Sequence, residues 1–139
     1  MNLANAIALA ANMFKDITDK GGSPYILHCL FVMEAGRNED EKIAGVLHDV
    51  VEDTSITLMN LRQEGYSERS IALVDALTKR KGETYRDSIK RVAQDEGATH
   101  LKKRDLEHNT SVLRLKSLSK KNMDKLEEYF WAYTYLKQL

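Results

Sequence analysis

Leu47-His48-Asp49-Val50-Val51-Glu52-Asp53-Thr54 is the stretch on which the reading of this chain turns. Val46, Leu47, Val50 and Val51 supply an apolar side, and a helical period sets His48 one turn from Glu52 and Asp49 one turn from Asp53. One imidazole and three carboxylates then crowd a narrow patch. Carboxylates this close repel and shift one another's pKa values, and a cation among them removes the repulsion. The adjacent His-Asp pair offers a borderline nitrogen and a hard oxygen to a divalent ion, with a carboxylate one turn on to manage a bound water. The same residues also read as a solvated acidic helix end, so the choice depends on what the rest of the chain brings to them.

Upstream, Asn38 or Asp40 caps the helix that carries this stretch, which should stop near Thr54-Ser55. Ser23-Pro24 reads as an N-cap followed by a proline at the first helical position, opening a helix through Tyr25, His28 and Val32 to about Gly36. Leu3, Ile7, Ala10, Phe14 and Ile17 recur at helical spacing and predict a first helix ending near Gly21-Gly22. Downstream, a short helix runs from Thr57 to Glu64, and Ser67 caps another with Ile71, Leu73, Val74 and Leu77 inward. Lys79 to Gly82 reads as a basic loop, and Thr84 starts a helix to Gly97. The next runs from Thr99 to Leu118, with Leu101, Asp105, His108, Val112 and Leu115 along one side, and Ser119 or Asn122 begins the last. With a single proline and no alternating run that demands a strand, the expectation is all-α: one domain, residues 1–139, of about eight helices.

Formal net charge is zero, so no global field favours nucleic acid or an anionic membrane, and an anionic substrate must be met by local basic residues. That neutrality gives little protection against self-association and leaves a homodimer open. The lone cysteine, Cys29, excludes an internal disulfide and suits a reducing cytosol. No apolar run has the length to cross a bilayer, and the Ala-rich start lacks the basic flank of a signal peptide; a cytoplasmic location is expected.

A histidine set like His28 among Ile26, Leu27, Cys29 and Leu30 is by itself more often a hydrogen-bonded core residue than a ligand. Asp105 interrupts an inward apolar stripe, where a carboxylate is costly unless it meets a cation or donors. A buried salt bridge to a lysine accounts for it equally well. His100, beside Lys102 and Lys103, reads as a surface residue. Together, His28, His48-Asp49 and Asp105 give two nitrogens and two oxygens from three helices, a set that suits one catalytic divalent ion with open positions.

Three segments carry a resemblance. Lys20-Gly21-Gly22-Ser23-Pro24-Tyr25-Ile26-Leu27-His28, Val46 to Thr54, and Leu101-Lys102-Lys103-Arg104-Asp105-Leu106-Glu107-His108-Asn109 resemble, in order, three motifs of the HD phosphohydrolase superfamily and of its RelA/SpoT-type alarmone hydrolase domains. The similarity extends over roughly residues 1–118. It implies a helical HD fold, one manganese ion held by His28, His48, Asp49 and Asp105, and removal of pyrophosphate from the ribose 3′ position of guanosine tetra- or pentaphosphate. It places Glu52 and Asp53 on the catalytic pair that positions and deprotonates the attacking water, and Lys20 and Asn109 on substrate contacts.

The departures from the family's motifs leave the four metal residues themselves unchanged. Asp19 stands where the family has an arginine that packs on the base, Cys29 follows the first histidine in place of proline, Val112 replaces a threonine, and Lys103-Arg104 replaces an apolar pair. Lys20, the Lys79-Arg80-Lys81 loop, Arg86 and Lys102 are the candidates to receive polyphosphate, and the aromatic residues from Tyr129 to Tyr135 read as packing or a dimer seam. Two other readings stay open: hydrolysis of a different nucleotide (an adenosine alarmone, a deoxynucleoside triphosphate or a nicotinamide phosphate), and a non-catalytic helical binding module.

Overall fold

Side-chain caps punctuate the chain. Asn2, Asn38, Thr57, Ser67, Thr84, Asp95 and Ser119 each accept a backbone N–H three residues on, satisfying a first-turn donor that has no intrahelical partner. The computed structural model describes residues 1–139, apart from the side chain of Arg114. Its helices are α1 (Leu3–Met13), α2 (Ile26–Glu34), α3 (Glu39–Leu47), α4 (Val50–Asp53), α5 (Leu58–Gln63), α6 (Glu68–Leu77), α7 (Tyr85–Val92), α8 (Glu96–Asn109) and α9 (Lys120–Lys137), with a 3-10 turn at Val112–Arg114. The described residues contain no strand, only an isolated bridge between Thr18 and Pro24. The all-α expectation holds.

Helix α3 is the axle. It packs against α1, α2, α6 and α8, and Ile43, Ala44, Gly45, Val46 and Leu47 are all buried. Its first turn buries Glu41 as well, where Arg37 grips both carboxylate oxygens, Nε to Oε1 at 3.0 Å and Nη2 to Oε2 at 3.0 Å. Gly45 is where α3 touches α2 most closely. A Cβ there would stand 2.8 Å from Cα and 3.0 Å from N of Met33, both backbone atoms of α2 that no rotamer change can move. This approach fixes the spacing between α2, which carries His28, and the end of α3, which leads into His48.

The structure redraws several boundaries. The acidic stretch is not one continuous helix: α3 ends at Leu47, a turn holds His48 and Asp49, and α4 resumes at Val50. Ser23-Pro24 does not cap α2; Pro24 bridges to Thr18, and α2 begins at Ile26 without a side-chain cap. Helix α1 stops at Met13, leaving Ile17 half exposed. Helix α8 starts earlier than expected, capped by Asp95, because Gly97 is a site of close packing against Arg69 and Leu73 and not a helix stop. It also ends earlier, at Asn109, where the Thr110 and Ser111 hydroxyls bond back to the carbonyls of Leu106 and Glu107. Val112 therefore leaves the inward face and is 42% exposed.

Gly45→Ala should destabilise the fold by about 1–3 kcal/mol, the cost of overpacking a contact whose neighbours are backbone. Equilibrium denaturation in urea checks this, with a lower midpoint at unchanged slope as the expected result.

Candidate metal centre

Helix α2 presents His28, the α3–α4 turn presents His48 and Asp49, and α8 presents Asp105. Their donor atoms converge. His28 Nε2 lies 2.8 Å from Asp105 Oδ1 and 4.0 Å from Asp49 Oδ2, and His48 Nε2 lies 2.9 Å from Asp49 Oδ2 and 3.4 Å from Asp105 Oδ1. His28, His48 and Asp105 are buried, and the Asp49 side chain is 18% exposed. Neighbouring side chains on a regular helix diverge by about 100°. The irregular turn at His48-Asp49 is where two consecutive residues reach one point.

Each donor is held from behind. His48 Nδ1 donates to the Gly45 carbonyl at 2.7 Å, which leaves Nε2 as the ring atom that faces the carboxylates. His28 Nδ1 lies 2.6 Å from His108 Nδ1. The Tyr25 hydroxyl donates to Asp49 Oδ2, Asn109 Nδ2 donates to Asp105 Oδ1 at 3.1 Å, and Lys102 Nζ donates to Asp105 Oδ2 at 2.7 Å. Burial alone would raise the Asp105 carboxyl, but Lys102 and the two imidazoles outweigh it and hold it well below its usual range. Burial would likewise lower the His48 imidazole, yet Asp49 and Asp105 push it well above its ordinary value. Burial and Asp49 together keep Tyr25 a proton donor.

The chemistry of this donor set fits a divalent cation. Nε2 of both His28 and His48 is buried and makes no hydrogen bond. Asp105 Oδ1 is close enough to His28 Nε2 to bond, but lies off the line along which a ring N–H points, as donors grouped around a common centre do. His28, His48 and Asp49 each offer a ligand atom within 4.8 Å of the others, and Asp105 closes the group.

The centre forms the floor of a cavity of about 730 Å³. Glu52, Asp53, Lys20, Asn109, Lys102 and Tyr129 stand on its walls. Glu52 Oε1 accepts the Lys79 backbone N–H at 2.7 Å. Burial, with Asp49 and Glu52 nearby, lifts the Asp53 carboxyl to about 6. Lys20 Nζ donates to Asn122 Oδ1 at 3.2 Å, and partial burial beside Lys125 lowers its pKa.

No family model matches the chain. Individual relatives do. It is 31% identical over 149 residues to a guanosine-3′,5′-bis(diphosphate) 3′-pyrophosphohydrolase of Aquifex aeolicus, matching 84% of this chain and 21% of that protein. It is 35% identical over 108 residues to a probable GTP pyrophosphokinase of Mycobacterium leprae, matching 68% of this chain and 14% of that one. A solved structure described as "a metazoan ortholog of SpoT hydrolyzes ppGpp and plays a role in starvation responses" superposes with a TM-score of 0.79, covering 96% of this chain and 84% of the other at 20% identity, a likeness of fold. The chain belongs to the RelA/SpoT-type HD hydrolase domains. It spans between 14% and 21% of the length of these two curated relatives, so the match is to one domain of much longer proteins.

Seen in this HD domain, the eight site residues expected from the sequence lie together: His28 and His48 buried at the floor, the other six lining the cavity. Of the further basic candidates, Lys102 serves the centre through Asp105, which also realises the lysine salt bridge weighed above. Arg86 is engaged elsewhere, 4.5 Å over the Trp131 ring and paired with Glu128 at 3.2 Å. His100 is half-buried, its Nε2 bonded to the Ala35 carbonyl at 2.7 Å, rather than a surface residue. Asp19 faces its own loop, where Oδ1 accepts the N–H groups of Gly21 and Ser23, both at 2.9 Å. Sequence reasoning missed the reach of Tyr25 to Asp49 and the contact of His108 with His28. Tyr25 stands almost one turn before His28, which hints at a shared face but not at the partner on another helix.

A divalent transition ion should raise the melting temperature of the HD domain and a chelator should reverse the gain, with about 2.7 kcal/mol of added stability at one hundred times the dissociation constant. Thermal melts with and without EDTA test this; Asp49→Ala should abolish both the shift and the ion retained through dialysis, read by elemental analysis.

Proposed function

We propose that this HD domain is a metal-dependent phosphohydrolase that releases pyrophosphate from the ribose 3′ position of guanosine 3′,5′-bis(diphosphate)-type alarmones. The observation that carries the reading is the convergence of His28, His48, Asp49 and Asp105 beneath a cavity whose wall holds two further carboxylates, Glu52 and Asp53, and a lysine, Lys20. The substrate comes from the relatives named for this activity. Manganese is the ion the family resemblance favours, and a set of two nitrogens and two oxygens accepts it.

Such an ion, when bound, supplies Lewis acidity that activates water and polarises a phosphoryl oxygen. The chain's own residues do the rest. Asp53, its carboxyl near 6, is largely ionised at neutral pH and still basic enough to accept a proton from the attacking water. Glu52, held at Oε1 by the Lys79 N–H, orients that water with its remaining oxygen. Lys20 meets the negative charge of the substrate, and Asn109, already bonded to Asp105, spans from the metal position to the cavity wall. The buried thiol of Cys29 is in keeping with a reducing cytosol as the place of work.

A second reading, another nucleotide as substrate, is favoured by two observations. Asp19 is a carboxylate, with Oδ1 bonded to its own loop, and offers no cation to a base, and Val112 does not line the cavity. A nucleotide panel with manganese separates the readings: guanosine 3′,5′-bis(diphosphate), its adenosine counterpart, deoxynucleoside triphosphates and a nicotinamide phosphate, each assayed for pyrophosphate, phosphate and triphosphate. Pyrophosphate from the guanosine compound is the expected outcome; its absence alongside release from another member transfers the assignment. Glu52→Gln should keep the ion and lose about 10²–10⁴-fold in kcat, and loss of the ion instead would make Glu52 a ligand.

A further inference from the structure

Behind the metal centre, on the side away from the cavity, α8 sets a second imidazole against the first. His28 Nδ1 and His108 Nδ1 lie 2.6 Å apart. Nitrogens this close need an N–H between them, because two lone pairs would repel. His28 Nε2 faces Asp49 and Asp105 without a hydrogen bond, so the proton of the neutral ring belongs on Nδ1 and is donated to His108. We infer that His108 is a positioning residue: by accepting the Nδ1–H of His28 it fixes that ring's tautomer and aims its Nε2 lone pair at the metal position. The inference rests on the metal-binding reading above.

His108 is itself held in place. Its ring lies edge to edge and nearly coplanar with His28, centroids 4.9 Å apart and planes 15° apart, as an in-plane Nδ1 contact requires, and its face stacks on Phe31 at 4.4 Å and 27°. The Arg104 guanidinium, one turn earlier on α8, sits 3.7 Å from the Phe31 centroid and pairs with Glu107 at 3.3 Å. A column of four side chains thus runs from the surface to a buried donor. His48 receives the equivalent support from a main-chain carbonyl, Gly45, which no substitution removes. The His28 side is the one where a single side chain sets the orientation, and α8 supplies both that support and Asp105 three residues away, tying two donors to one helix.

Cobalt(II) is the probe, since its visible absorption reports ligand geometry independently of turnover. His108→Phe keeps a flat ring for the stack and removes the acceptor; His108→Gln restores an acceptor oxygen without the ring. The expected result is Co²⁺ binding weakened about 10–100-fold in His108→Phe, with an altered visible spectrum, and most of the affinity recovered in His108→Gln. Should His108→Phe not fold by circular dichroism, His108→Leu against His108→Gln makes the same comparison. Wild-type affinity and spectrum in the variant without an acceptor would overturn the inference alone, as would equal weakening with and without an acceptor. A wild-type protein that takes up no Co²⁺ would overturn the metal reading and this inference with it.

Discussion

Two carboxylates and two imidazoles forced to one buried point are the constraint on which the structure depends. Each buried charge costs several kcal/mol against water, and that cost is offset only by good geometry and further hydrogen bonds. The surroundings supply them one by one: Lys102 and Asn109 to Asp105, the Tyr25 hydroxyl to Asp49, the Gly45 carbonyl to His48. What they leave unsatisfied is the pair of Nε2 atoms, and those are the atoms that face one another's carboxylates across the centre. Support on every outer side and none on the inner one leaves both Nε2 atoms open toward the centre.

That requirement explains the arrangement of the helices. A donor group drawn from α2, the α3–α4 turn and α8 needs three segments fixed to within a fraction of an ångström, so they meet on α3, whose last five residues are buried. Gly45 serves both ends of the requirement. Its missing side chain lets α3 lie on the α2 backbone, and its carbonyl fixes His48 three residues on. The remainder of the core, from Leu61 and Leu73 to Leu101 and Leu136, holds these segments at their crossing points without entering the site.

The all-helical class and the convergence of the four donors were legible because they rest on short-range patterns: helical periodicity, caps at Asn38, Ser67, Thr84 and Ser119, and an adjacent His-Asp pair followed by two more carboxylates. Where sequence reading failed, a longer-range contact had overruled a local rule. Ser23-Pro24 has the form of a helix start, but Asp19 captures the Ser23 N–H and Pro24 bridges to Thr18, so the helix waits until Ile26. Gly97 has the form of a helix stop, but Arg69 and Asp95 close over it and the helix runs through. The break at His48-Asp49 has no local signal in the sequence: His48 keeps helical angles, whereas Asp49 leaves them at φ −103° and ψ −3°.

Helix α8 gathers residues of the centre on one face and ends before a segment that departs from the family's motifs. Lys102, Asp105, His108 and Asn109 follow one another at intervals of three, three and one, and so share a face turned toward the centre. The register of that face is set at the far end, where Asp95 caps the helix and is clamped by Arg69 through bonds of 2.6 and 3.0 Å. A shift of one residue would rotate all four side chains away together, so the group must be kept whole or lost whole. The helix then ends at Asn109, and the chain beyond it, with Val112 and the fully exposed Leu113, is released from the register. The Thr18–Pro24 loop, like that segment, is not coupled to the donors through a regular helix. Asp19 and Val112, two of the departures from the family's motifs, both fall in these segments and not among the donors.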